Sequence, residues 1–84
     1  MPAEKKPNLR TYSGRIGAIV RKRRKDAGLS VEQFRDALRR RGVEIAISTI
    51  YGIENGNNDV DVNHLPAMAA VLGCESVLEI LPPK

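Results

Sequence analysis

The side chains best suited to recognising another molecule lie in one stretch, Ile47-Ser48-Thr49-Ile50-Tyr51-Gly52-Ile53-Glu54-Asn55-Gly56. At ~100° per residue, Ile50 and Ile53 fall on one side of a helix with Glu54 beside them, while Ser48, Tyr51, Gly52 and Asn55 fall on the other. The first side can be buried. The second carries hydroxyls and a carboxamide with little bulk, which suits hydrogen-bonded recognition in a groove rather than bond making. Catalysis finds no foothold elsewhere. The chain has one histidine, His64, one cysteine, Cys74, no glycine-rich phosphate loop after a strand, and no carboxylate pair set as buried acid and base. His64 reads as an exposed helix residue and Cys74, beside Gly73, as a small hydrophobe. A lone cysteine has neither a disulfide partner nor a zinc ligand set, so no metal and no cofactor is expected.

A stub this short is not stable alone and must be held by neighbours. Gly56, just past its last periodic residue, takes the left-handed conformation that ends a helix. Eighty-four residues make one small domain, which buries roughly 60–65% of its unfolded surface. With 42% hydrophobic residues, one Phe, no Trp and apolar positions at helical spacing, the expected class is all-α. No apolar run is long enough to span a membrane and no signal-peptide pattern is present, so a cytoplasmic, nucleoid-associated location is expected. The formal net charge of +4 conceals an asymmetry: residues 1–42 carry 13 Lys/Arg and 4 Asp/Glu, residues 43–84 carry 1 and 6. A basic half of that density suits a polyanion, of which nucleic acid is the commonest.

Along the chain, residues 1–12 hold Pro2, Pro7, Lys5, Lys6 and Arg10 without apolar periodicity and read as a flexible basic arm. Residues 13–81 read as the folded domain and 82–84 as a tail. The first helix is predicted from Ser13, as N-cap, to Ala27, with Ile16, Val20 and Ala27 inward and Gly28 as stop. Its five consecutive cations, Arg21 to Lys25, repel one another along a helix and call for compensating acids or an external anion. Ser30 and Gln33 form a capping box, so a second helix runs from Val31 to about Arg41 with Phe34, Ala37 and Leu38 inward. Asp36 and Arg40 are spaced to pair on its outer face. Residues 42–46 make a long link in which Val43, Ile45 and Ile47 alternate with polar or small residues. Asp61 or Asn63 caps a fourth helix to about Leu72, with Leu65, Met68, Ala69 and Leu72 as its stripe. A last short helix, Ser76 to Leu81, ends at Pro82-Pro83 and leaves Val77, Leu78, Ile80 and Leu81 to be covered, by the core or by a second copy.

The run Ser48 to Gly56 resembles the second helix of the helix-turn-helix in the lambda-repressor-like family, the XRE or Cro type of prokaryotic and phage regulator. Two small polar residues, Ile50, two variable positions, apolar Ile53, Glu54, one variable position and Gly56 follow that pattern. The chain from Ile16 to Leu81 fits the same five-helix plan, with a lengthened turn between helices 2 and 3. The family pattern places the helix 3 N-cap at Ala46; capping chemistry prefers Ser48. The resemblance implies a sequence-specific, double-stranded DNA-binding transcriptional regulator, a repressor, acting as a homodimer and not as an enzyme. Base reading would fall to Ile47, Ser48, Thr49, Tyr51 and Gly52. Phosphate contacts would come from Arg21, Ser30, Val31, Arg35, Asn55, Asn57 and Asn58, and from Lys5, Lys6 and Arg10 of the arm. The family pattern pairs an arginine at Arg24 with Glu54. The alternative reading is a protein-interaction module such as the antitoxin of a toxin–antitoxin pair, with a protein partner on the same exposed face.

Overall fold

The chain enters its first helix at Thr11, whose Oγ1 accepts a hydrogen bond from the Gly14 N–H at 2.9 Å. The structure is a computed structural model and describes residues 9–83; Lys5 and Lys6 of the expected arm lie outside the described residues. Helix α1 spans Tyr12–Asp26. Ser13, the expected N-cap, lies inside it, and its hydroxyl accepts instead from the Val60 N–H at 2.9 Å. Two residues were competent to cap; the tertiary bond to Val60 claims one and leaves the cap to Thr11. Thr11→Ala is therefore expected to cost about 1 kcal/mol in a urea titration. Ile16, Val20 and Arg24 point inward. Ala27, expected inward, is exposed, because it stands at the C-cap and Gly28 at φ 73° turns the chain away.

Helix α2 spans Val31–Arg40, with both hydrogen bonds of the Ser30–Gln33 capping box present and Val31, Phe34 and Leu38 buried. Asp36 does not reach Arg40. Its Oδ1 accepts from Nε and Nη2 of Arg35, the adjacent residue, at 3.0 and 2.9 Å. The link that follows turns at Gly42, φ 83°, and the Val43 N–H donates to the Leu38 carbonyl at 3.0 Å. Ile45 is buried, with Val43 and Ile47 packed against the core, so the apolar edge of the link faces inward. Helix α3 spans Ile47–Asn55, with Ala46 as N-cap without a side-chain bond and Gly56 in the left-handed region.

The second half departs from the expected two helices. Asp61 caps a 3₁₀ turn, Val62–His64, and only then does α4, Leu65–Val71, begin. Pro66 is the reason. It has no N–H to give the Val62 carbonyl, so the chain before it closes in tighter turns, His64 N–H to Asp61 carbonyl and Leu65 N–H to Val62 carbonyl. His64, expected to be exposed, is half-buried in that turn. The expected fifth helix is a second 3₁₀ turn, Val77–Ile80, too short to become an α-helix before Pro82-Pro83. The described residues thus form four α-helices and two 3₁₀ turns, with no strand among them. Phe34, Leu38, Ile50, Met68, Val20 and Ile80 are the best-buried apolar side chains. Ile80 is fully buried and Val77 and Leu81 are packed against the core, whereas Leu78 is 76% exposed.

Candidate nucleic-acid interface

Helix α3 has an inner face of Ile50, Ile53 and Glu54, all buried, and α1 is its main support. Two features fix how it lies there. The first is Gly17, in the middle of α1. A Cβ built on it would run into the backbone carbonyl of Ile53, so only glycine allows the two backbones to approach this closely. No reading of the sequence assigned Gly17 a role, although a glycine inside a helical pattern signals close packing.

The second feature is a buried ion pair. Arg24 of α1 donates from Nε to Glu54 Oε2 at 2.7 Å and from Nη2 to Oε1 at 3.0 Å, while its Nη1 donates to the Leu29 carbonyl at 2.7 Å. The residues are 7% and 2% exposed. One guanidinium thus joins α1, the chain entering α2, and the last turn of α3. The bidentate fork satisfies both carboxylate oxygens, which a lysine could not do.

Two further cations of the Arg21–Lys25 run are also answered by acids. Lys22 pairs with Asp26 at 3.0 Å and Arg23 approaches Glu79 at 3.9 Å. Arg39 lies 3.3 Å from Glu44. Three of these acids, Glu44, Glu54 and Glu79, come from the second half, so part of the formal basic excess of the first half is matched within the fold. Arg35, expected as a phosphate contact, is held by Asp36, which lowers its value to an external anion.

On the outer face of α3, Ser48, Thr49 and Tyr51 are exposed, Tyr51 by 52%. Ile47 and Asn55 are half-buried, Ile47 against the core. Gly52 is half-buried as well, because the side chain of Asn58 lies where a Cβ on Gly52 would project. Asn57 and Asn58 are exposed, and both of their N–H groups donate to the Gly52 carbonyl, at 2.8 and 3.1 Å. The loop after α3 therefore folds back on the helix and brings Asn58 over Gly52. At the start of α2, Ser30 Oγ accepts from the Gln33 N–H, which leaves its O–H to donate, and the Val31 side chain is buried, so the Ser30 hydroxyl and the first backbone N–H groups of the helix are the donors placed there for an anion. Glu32 in that first turn brings a negative charge to the same end. Arg21 is half-buried on α1 and Arg10 is exposed ahead of it.

Among the described residues no group of His, Cys, Asp or Glu is arranged to hold a metal ion, and no helix is long and apolar enough to cross a membrane. Comparison with curated proteins found no match, and neither did comparison with solved structures. A family model described as helix-turn-helix matches residues 20–78, a span that runs from the middle of α1 to the start of the second 3₁₀ turn and contains both Arg24 and Glu54. With α2 and α3 packed as consecutive helices and α3 presenting a polar face, the chain belongs to the lambda-repressor-like, XRE-type helix-turn-helix family.

Proposed function

We propose that the protein is a sequence-specific transcriptional regulator, a repressor of a prokaryote, phage or plasmid, that inserts the exposed face of α3 into the major groove of double-stranded DNA. The observation that carries the reading is the rigid mounting of a polar face. Glu54 and Gly17 lock the inner side of α3, and Ser48, Thr49 and Tyr51 stand free on the other. Ser48 and Tyr51 read base edges, with Ile47 and Thr49 at the border of the contact. Backbone N–H groups of Val31 and its neighbours, the side chains of Arg21 and Asn55, and Asn57 in the loop hold phosphates and set the register. The protein works as a homodimer, its two α3 helices entering half-sites about 34–36 Å apart.

Selection of bound sequences from a random DNA library tests the reading. A recurrent motif is expected; failure to recover one, together with a protein that co-purifies at fixed stoichiometry, would favour the protein-interaction alternative. The basic arm makes a separate prediction. Each neutralised phosphate contributes roughly −0.9 to the slope of log affinity against log salt. Removing residues 1–10, and with them Lys5, Lys6 and Arg10, should flatten that slope while the preferred sequence is retained. An unchanged slope would mean that the arm touches no phosphate.

A further inference from the structure

On the outer face of α3 the hydroxyls of Ser48, Thr49 and Tyr51 can each donate or accept, so they discriminate weakly between bases. What the helix itself lacks at the centre of that face is a side chain with a fixed donor and a fixed acceptor, because position 52 is glycine. The structure fills this gap from outside the helix. An ideal Cβ on Gly52 would fall on the carboxamide of Asn58, whose Nδ2, Cγ and Oδ1 are the three atoms nearest to it. Two backbone hydrogen bonds, from the N–H groups of Asn57 and Asn58 to the Gly52 carbonyl, hold the loop in this position. Asn58 is exposed, and its carboxamide makes no hydrogen bond to any described residue, so both its N–H₂ and its oxygen are available to a ligand.

We propose that Asn58, lodged over Gly52, is a specificity-determining residue that reads an adenine in the major groove. The inference rests on the DNA-reading function proposed above. A carboxamide matches adenine with its NH₂ on N7 and its oxygen on the N6 amino group, a two-bond contact that the other three base edges do not complete. Glycine at position 52 is required because any side chain there would displace the reader. Reading thus comes from a loop residue that is not in the helix but occupies the place of a helical side chain.

The test compares wild type, Asn58→Ala and Gly52→Ala by selection from a random library and by affinity for the selected site and its single-base variants. Circular dichroism establishes that each is folded. Wild type is expected to prefer adenine at one position of each half-site. Both variants should lose that preference, by about tenfold or more between adenine and the other bases, and keep the preferences at the remaining positions. Gly52→Ala is informative because it leaves Asn58 intact and only evicts it. If both variants keep the adenine preference, Asn58 is a passive cover and the proposal fails. If Asn58→Ala weakens every sequence alike, the residue holds a phosphate and the proposal fails. A wild type that selects no motif overturns the DNA-reading function along with it.

Discussion

Glu54→Gln is expected to lower the melting temperature by at least about 12 °C, since breaking a buried pair from one side costs on the order of 3 kcal/mol or more and each kcal/mol is worth about 4–8 °C in a domain of this size. The substitution is nearly isosteric, so packing is preserved and the loss is electrostatic. It leaves the Arg24 guanidinium, in a residue 7% exposed, without its counter-charge. Arg24→Met should cost as much for the converse reason, a carboxylate stranded in a residue 2% exposed. The double variant Arg24→Met with Glu54→Leu should recover a large part of the loss, because a buried pair replaced by apolar groups is often close to neutral. A double-mutant cycle built on Arg24→Met, Glu54→Leu and their combination measures the coupling by thermal denaturation. Two single variants that melt with wild type would mean that the pair does not hold α3.

Gly17→Ala is expected to destabilise by about 1–3 kcal/mol, the usual cost of forcing an extra carbon into a packed interface. The sign is what makes the experiment decisive. Alanine is better than glycine in a helix interior by about 1 kcal/mol, so propensity alone predicts a more stable protein. The geometry predicts the reverse, since the new Cβ meets the Ile53 carbonyl, a backbone atom that can yield only if α3 moves off α1. DNA affinity should fall further than stability explains, because the reading face moves with the helix. An alanine variant more stable than wild type, with full affinity, would show that α1 and α3 are free to separate at this point.

The parts of the fold legible in the sequence were those whose signals are local. Ser30 with Gln33 marked the start of α2, and Gly56 the end of α3, because a cap and a left-handed stop depend on residues a few positions apart. Val43 and Ile45 announced an extended link with one apolar edge. Local signals failed where two residues competed for one role, as Thr11 and Ser13 did for the first cap, and where Pro66 removed a single donor and split one helix into a 3₁₀ turn and a short α4. The site was harder. Which side of α3 is buried follows from spacing, but the approach of Gly17 to Ile53 and the lodging of Asn58 over Gly52 join segments far apart along the chain or across a loop, and no periodicity reports them. Formal charge misled in the same way. The basic density of residues 21–25 is a property of the chain; Asp26 answers Lys22 locally, while Glu54 and Glu79, which answer Arg24 and Arg23, arrive only through the fold.

Reading of DNA by the outer face of α3 is the function proposed for this protein. Its most direct test is the affinity ratio between the selected site and scrambled DNA for wild type, Ser48→Ala and Tyr51→Ala, each first established as folded by circular dichroism. Loss of a base contact should cost about 1–3 kcal/mol on the selected site and little on scrambled DNA, so the ratio should shrink for both variants. If both variants fold and bind the two DNAs as wild type does, α3 is not the reading element.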